Sequence, residues 1–235
     1  MATNGKTVLF DLDGTMVDSR EGIAGSIRHA MTGLGYEASV SGDLCWCIGP
    51  PLRNSFEKLL RSSDANLIDK AIALYRQRFS AVGWRETKIY PRIPEVLDAV
   101  RGLGFSLCVA TSKPQAYAAR IVRHFGLERF FDSVYGSMFN GGLSDKGELI
   151  AYVLDDRGVE SGETIMVGDH KNDIVGAKKC GVPCIAVLYG YGSEEELTAS
   201  GATFTVKAPE EIPRIVAYMA RQIARRKRRA HHFLS

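Results

Sequence analysis

Long apolar segments and paired cysteines are both missing from this 235-residue chain. No run of about 18 apolar residues occurs, which argues against a membrane-spanning helix. Residues 1–6 lack the basic and apolar regions of a secretory signal. The five cysteines are an odd number without a C-x2-C pair, so neither a zinc site nor a disulfide framework is indicated. We expect a soluble cytoplasmic protein with reduced thiols.

Acidic residues are missing from the most basic part of the chain. The formal net charge is +3, with 30 Lys and Arg against 27 Asp and Glu. Removing the six basic residues of one C-terminal stretch leaves 24 basic against 27 acidic: Arg221, Arg225, Arg226, Lys227, Arg228 and Arg229. Such a terminal run is more often a solvated helix end than a polyanion-binding site. Nucleic acid is therefore a disfavoured partner, and a non-catalytic polyanion-binding protein is the alternative from a different functional class.

The chain does contain short apolar runs typical of buried parallel strands, and from residue 89 onward helical patterns alternate with them. This alternation predicts an α/β protein with a doubly wound, Rossmann-like parallel sheet and ligands at the carboxyl ends of its strands. The strands are predicted at 8–10, 107–110, 133–135, 165–167, 185–187 and 203–206.

Residues 20–88 interrupt the alternation after the first predicted strand. They contain at least three stretches with apolar residues at helical spacing, which is too long for a simple strand-to-helix crossover. We predict an α-helical cap domain at 20–88, inserted over the end of strand one. The catalytic core would then comprise residues 1–19 and 89–235.

Two carboxylates follow the first predicted strand, in the string Asp11-Leu12-Asp13-Gly14-Thr15. Residues at i and i+2 of an extended chain share a face, so Asp11 and Asp13 can address one ligand. Their repulsion would be relieved by a divalent cation, a shared proton or both. The pair indicates metal-assisted chemistry with separate nucleophile and acid/base roles, and the alternative is an Asx turn that ends a strand.

A second carboxylate pair, Asp169 and Asp173, follows the strand predicted at 165–167. At i and i+4 of a helix start the two share a face, where the helix dipole favours negative charge and a cation can bind. Ordinary capping also accounts for this pair. Its position after another strand of the same sheet, however, brings it toward Asp11 and Asp13.

Groups suited to anions occur after the other strands. Thr111 and Ser112 follow the strand at 107–110 and offer a hydroxyl and backbone amides, although a helix cap explains them equally well. Lys146 is placed near a helix start, where the positive end of the dipole disfavours a cation. A lysine at that position is better explained if it faces anions.

These four loops resemble the haloacid dehalogenase-like hydrolases, from residue 8 to about residue 206. The string Ile48-Gly49-Pro50-Pro51-Leu52 and the segment 168–177 (GDHKNDIVGA) are similar to the phosphoglycolate phosphatase branch and its 5′-nucleotidase-like relatives. The helical insertion resembles the C1-type cap of that family. By this resemblance the nucleophile is Asp11, the general acid/base is Asp13, the phosphate-binding hydroxyl is Thr111, the motif lysine is Lys146, and the acidic metal motif is Asp169 with Asp173.

The resemblance implies a Mg²⁺-dependent phosphatase that hydrolyses a small, phosphoglycolate-like phosphomonoester through an aspartyl-phosphate. Mg²⁺ would be held by Asp11, the Asp13 carbonyl and Asp169, with Asp173 ordering the shell. A 5′-nucleotidase or pyrophosphatase of the same family is the alternative. A phosphomutase similar to β-phosphoglucomutase is less favoured, because the string SDKGELI at 144–150 differs from that of the mutase branch.

The implied phosphate site combines Thr111, the Ser112 amide and Lys146. Substrate choice would depend on the cap, where Arg53 follows the two prolines of the Ile48–Leu52 string. A guanidinium there can bind a carboxylate or a second phosphate. A solvent-facing arginine on an amphipathic helix is an equally good interpretation.

Overall fold

The computed structural model describes residues 5–232, and the side chains of residues 38 and 226–232 lie outside that description. Four basic residues of the C-terminal charge run, Arg226, Lys227, Arg228 and Arg229, therefore lie outside the described side chains. Within the described range, no helix combines the length and the apolar character needed to cross a membrane.

Strands and helices alternate through most of the chain. The described residues form the strands β1 (Thr7–Phe10), β2 (Val17–Asp18), β3 (Lys88–Ile89), β4 (Ser106–Pro114), β5 (Ser133–Ser137), β6 (Thr164–Gly168), β7 (Cys184–Val187) and β8 (Phe204–Val206). They also form the helices α1 (Arg20–Gly33), α2 (Leu52–Leu60), α3 (Ala65–Ala81), α4 (Ile93–Gly102), α5 (Gln115–His124), α6 (Lys146–Arg157), α7 (Lys171–Lys179), α8 (Glu194–Ala199) and α9 (Ile212–His232).

Six parallel strands form the central sheet, in the order β5-β4-β1-β6-β7-β8. The sheet begins at its centre with β1, extends in one direction through β4 and β5, and then in the other through β6, β7 and β8. This is the doubly wound order, in which the direction of winding reverses beside β1 and leaves a crevice at the carboxyl ends. The predicted fold class is confirmed.

Alternating residues of the strands pack on opposite faces of the sheet. Val8 and Phe10 of β1 belong to the apolar cluster that includes residues of α4, α5 and α9. Leu9 lies in the other cluster, which includes residues of α6 and α7. All three side chains are fully buried. Burial on both faces explains why the strands read as continuous apolar runs rather than as alternating ones.

Two short strands that the apolar pattern does not predict, β2 and β3, pair antiparallel and flank the helical insertion. Each has only two residues and carries one charged residue, so no apolar run marks it. We call residues 20–88 the cap segment. It contains α1, α2 and α3, and its predicted limits coincide with the first residues of α1 and β3. Its status as a separate domain stays a prediction.

The fourth strand also differs from its prediction. β4 continues to Pro114, so Thr111 and Ser112 belong to the strand rather than to a loop after Ala110, and the pairing with β5 shifts between Thr111 and Pro114. Gly136 of β5 permits the close approach, because a Cβ there would lie 2.6 Å from the Lys113 carbonyl oxygen. The irregular pairing falls where the side chains of β4 reach the site.

Candidate active site

The carboxyl ends of β1, β4 and β6 meet at one edge of the sheet, and the predicted catalytic residues lie there. A cavity of about 870 Å³ opens at this edge, between the core and the cap segment. Its lining includes all but one of the predicted site residues, namely Asp11, Asp13, Arg53, Thr111, Ser112, Lys146 and Asp173. The remaining one, Asp169, lies beside Asp11 and Asp173.

Three buried carboxylates form the floor of the site. Asp11, Asp169 and Asp173 each offer one oxygen, and these oxygens lie within 4.8 Å of one another. Burial raises the pKa of Asp11 from 3.8 to about 6, against the opposing attraction of Lys146. Burial also raises the pKa of Asp169 well above its usual value, and the charges of Asp11 and Asp173 add to the effect. Both shifts mean that ionising all three carboxyl groups is unfavourable without further positive charge.

Lys146 is the cation at the centre of the cluster. Its Nζ donates to Asp11 Oδ1 at 2.8 Å and to the Ala110 carbonyl at 2.9 Å, and it lies 2.8 Å from Asp173 Oδ1. Burial alone would lower the pKa of Lys146, but Asp11 and Asp173 together raise it above its usual value. One ammonium cannot neutralise three carboxylates. The buried, oxygen-rich cluster therefore fits an additional divalent cation.

The start of α7 shows how capping and site geometry combine. Asp173 Oδ2 accepts a hydrogen bond from the His170 amide at 3.0 Å, and His170 Nδ1 accepts one from the Asn172 amide at 3.2 Å. The other oxygen of Asp173 faces Lys146. One oxygen of Asp173 thus takes part in capping α7, and the other belongs to the charged cluster. His170 is the helix cap, and burial lowers its pKa.

Asp169 is held by contacts that the sequence interpretation missed. Thr15 Oγ1 donates to Asp169 Oδ1 at 3.1 Å, and the Tyr191 amide donates to Oδ2 at 2.9 Å. Tyr191 lies in the connection between β7 and α8. Gly190 is required there, because a Cβ would lie 2.3 Å from Asp169 Cβ and 2.5 Å from the Gly14 carbonyl. The paired glycines around Tyr191 were the available indication of this close approach.

A second cation that the sequence interpretation missed is Lys113. Its Nζ donates to Asp13 Oδ2 at 2.6 Å, and both side chains are buried. Lys113 stands two residues after Thr111, whose Oγ1 accepts a hydrogen bond from the Lys113 amide at 3.3 Å. Ser112 is fixed through its carbonyl, which accepts from Ser137 Oγ at 2.7 Å. Its position directly after the predicted anion-binding residues was the signal that could have identified Lys113.

Arg53 belongs to the cap segment. It lines the cavity from α2 and is ion-paired with Asp69 of α3, with side chains 46% and 61% exposed. The cavity also has an aromatic wall formed by Tyr75 and Phe79 of the cap segment with Tyr117 and Phe139 of the core. Phe79 and Tyr117 are 5.0 Å apart, and Tyr117 and Phe139 are 5.3 Å apart, between ring centroids.

Comparison with known proteins assigns the chain to a family. A family model described as haloacid dehalogenase-like hydrolase matches residues 8–187. The chain belongs to this family, which confirms the resemblance found in its motifs.

Particular relatives refine the class. The 5′-nucleotidase of Pseudomonas aeruginosa is 42% identical over 196 residues, which cover 83% of this chain and 88% of that protein. The tyrosine-protein kinase PtkA of Mycobacterium tuberculosis is 34% identical over 202 residues, covering 86% and 68%. A crystal structure of a predicted phosphatase from Clostridium acetobutylicum matches with a TM-score of 0.86 and 38% identity, covering 90% and 97%.

Two more distant relatives have phosphatase names. The pyrophosphatase PpaX of Halalkalibacterium halodurans is 30% identical and covers 92% of this chain and 98% of that protein. A phosphoglycolate phosphatase of Vibrio parahaemolyticus is 28% identical and covers 92% and 97%. The chain is a phosphatase of the haloacid dehalogenase-like family, a phosphoric monoester hydrolase.

Proposed function

We propose that the protein is a Mg²⁺-dependent phosphatase that hydrolyses a small phosphomonoester through an aspartyl-phosphate on Asp11. The proposal rests on two buried carboxylates from one loop, each of which forms an ion pair with a different lysine. Asp11 pairs with Lys146 and Asp13 pairs with Lys113, both at the carboxyl edge of the sheet. Two carboxylates with separate partners suit two separate roles.

Asp11 is the proposed nucleophile. A carboxylate oxygen of Asp11 forms a bond to phosphorus while the bond between phosphorus and the ester oxygen breaks. Asp13 enters the reaction protonated, gives this proton to the departing oxygen and later accepts one from the water that attacks the phosphorus of the aspartyl-phosphate. That second step releases inorganic phosphate and restores both carboxyl groups.

The negative charge of a phosphoryl group requires a cation and hydrogen-bond donors, and three residues of the site are proposed for these roles. Lys146 is the buried ammonium beside Asp11, while Thr111 and Ser112 present a hydroxyl and a backbone amide from β4. Such donors stabilise charge that develops on the phosphoryl oxygens. The proposed phosphate site therefore lies between β4 and the start of α6.

The residues proposed to hold Mg²⁺ are Asp11 and Asp169 through carboxylates and Asp13 through its carbonyl, with Asp173 ordering the shell. The carboxylates fit because a single lysine leaves their cluster negative and because Asp169 is already oriented by Thr15 and Tyr191. When bound, the cation would offset the negative charge of the phosphoryl group and the nucleophile.

Phosphoglycolate-like esters are the proposed substrate class, with Arg53 as the cap residue that would bind a second anionic group. A 5′-nucleotidase activity is the second candidate, and two observations favour it. The 870 Å³ cavity is large for a two-carbon ester, and its aromatic wall suits a nucleobase. The 42% identical relative is also named 5′-nucleotidase.

The test is phosphate release from phosphoglycolate, nucleoside monophosphates, sugar phosphates and pyrophosphate, each measured with Mg²⁺ and with EDTA. We expect turnover only with Mg²⁺, and Asp11→Asn should lose it for every substrate because the nucleophile is gone. Near wild-type turnover by a folded Asp11→Asn variant would exclude the covalent mechanism. Mg²⁺-independent turnover would exclude the metal role.

A further inference from the structure

The ion pair between Lys113 and Asp13 joins residues that are 100 positions apart in the chain. The Nζ and Oδ2 atoms are 2.6 Å apart, and the two side chains are only 5% and 11% exposed. A buried pair is costly to desolvate and holds one geometry once formed. Lys113 therefore fixes one oxygen of the Asp13 carboxyl.

The second oxygen of Asp13 has a different environment. Asp13 Oδ1 is buried and has no hydrogen-bond partner among the described residues, although Asp13 lines the cavity. Buried polar atoms nearly always have a hydrogen-bond partner, so a buried oxygen without one beside a cavity is a candidate contact for a bound molecule. The carboxyl thus has one oxygen fixed by the protein and one left for whatever enters the cavity.

The cap segment contacts the other side of Lys113. The ring of Phe79, on α3, lies with its centroid 4.8 Å from Lys113 Nζ, a cation–π distance. Phe79 is fully buried and stacks on Tyr75, with centroids 5.5 Å apart and planes within 9°. A continuous line of contacts therefore runs from the cap segment through Phe79 and Lys113 to Asp13.

We propose that Lys113 is a positioning residue that holds Asp13 Oδ2 so that Oδ1 meets the leaving-group oxygen, with Phe79 of the cap segment supporting the ammonium. This inference rests on the acid/base role of Asp13 in the proposed function. Lys113 touches no reacting atom in this arrangement. Its effect reaches the substrate only through Asp13.

A comparison of leaving groups tests the proposal. An alkyl phosphate needs a proton on its departing oxygen, whereas p-nitrophenyl phosphate has a stable leaving group and needs little help. Lys113→Met should lower kcat for an alkyl phosphate by roughly 10- to 100-fold, a share of what general acid catalysis supplies, and lower kcat for p-nitrophenyl phosphate by far less. KM should change little for either substrate, and Lys113→Arg should restore part of the alkyl rate.

Lys179→Met is the matched control, since Lys179 lines the same cavity but faces Asp145 at 3.7 Å and does not contact Asp13. It removes one positive charge from the cavity and should affect both substrates equally. If Lys113→Met also affects both equally, or raises KM for both, the lysine binds the phosphoryl group directly and the proposal is overturned.

A double variant covers the case in which Lys113→Met alone does not fold, because removing both charged partners leaves no unpaired buried charge. The double variant Asp13→Asn/Lys113→Met should hydrolyse the alkyl phosphate at the rate of Asp13→Asn. A further loss of tenfold or more would overturn the proposal. Asp11→Asn should lose p-nitrophenyl phosphatase activity whatever the result for Lys113→Met, so this loss tests the proposed function separately from the inference.

Phe79→Leu tests the contribution of the cap segment. The change keeps an apolar side chain and removes the ring over the ammonium. We expect a smaller fall in the ratio of alkyl to p-nitrophenyl turnover, about two- to fivefold, in proportion to a modest cation–π contact. An unchanged ratio would remove Phe79 from the proposal.

Discussion

Two ion pairs at the cavity, one in the core and one in the cap segment, differ in burial. In the core, Lys146 and Asp173 form a pair whose side chains are 3% and 1% exposed. In the cap segment, Arg53 and Asp69 form a pair that is 46% and 61% exposed. A buried pair keeps one geometry, whereas an exposed pair is screened by water and can exchange partners. The contrast predicts that the Lys146–Asp173 pair keeps its geometry during turnover, whereas Arg53 can exchange Asp69 for an anionic group of a substrate.

The largest expected effect comes from the core. Lys146→Met should lower kcat by roughly 10²- to 10³-fold and destabilise the fold by about 3–5 kcal/mol, because it removes a phosphoryl partner and leaves buried carboxylates without a cation. Phosphate release and urea unfolding measure the two effects.

Lys171→Met is the control, since Lys171 likewise begins a helix but pairs with Glu196 at the surface. It should cost about 0–1 kcal/mol of stability and little turnover. Similar losses for the two variants would contradict the contrast between buried and exposed pairs.

The next effect concerns pH in the presence of a chelator. The folded-state pKa of Asp11 is raised from 3.8 to about 6, so the folded protein binds more protons than the unfolded chain between these values. Stability should therefore fall as the pH rises from 3.8 to 6, by about 3 kcal/mol from this carboxyl, and Mg²⁺ should restore it above pH 6. Urea midpoints with EDTA and with Mg²⁺ measure this.

Asp11→Asn provides the comparison for the pH experiment, because it removes the titrating group and keeps a similar shape. Its stability in EDTA should fall less steeply with pH than that of the wild-type protein. Identical pH profiles for the two proteins would mean that Asp11 does not carry the shifted pKa.

A smaller effect is expected in the cap segment. Arg53→Ala should lower kcat/KM for carboxylate-bearing esters by about 1–2 kcal/mol, or roughly 5- to 30-fold, because a partly screened charged hydrogen bond is lost. An aryl phosphate should be nearly unaffected.

Asp69→Asn should act in the opposite direction, since it releases Arg53 from its present partner while leaving the guanidinium in place. The two variants together test whether Arg53 faces substrate. Equal, small effects of Arg53→Ala on both substrate types would assign this residue to the surface.

Burial on both faces of the sheet explains what could be predicted from the sequence. The parallel strands appear as apolar runs because both faces of the sheet are buried, and Asp11, Asp13, Asp169 and Asp173 follow those runs directly. Short-range patterns therefore located the carboxylates.

Contacts between distant residues carried no such pattern. Lys113 pairs with Asp13 across 100 positions, and Thr15 reaches Asp169 across 154. β2 and β3 have only two residues each and depend on each other for pairing. Their stability comes from the tertiary fold rather than from local propensity, so no window of sequence marks them.

The smallest effect should follow from shortening the C-terminus. Among the described side chains of α9, which end at residue 225, the buried ones are Ile212, Val216 and Met219, and all precede Ile223. Deletion after Ile223 therefore keeps these apolar contacts and removes most of the basic run, so turnover of small substrates should stay within about twofold. Binding to a polyanion such as heparin should weaken, as measured by its salt dependence. A large loss of turnover in a folded, truncated protein would show that the end of α9 contributes to the site at the carboxyl edge of the sheet.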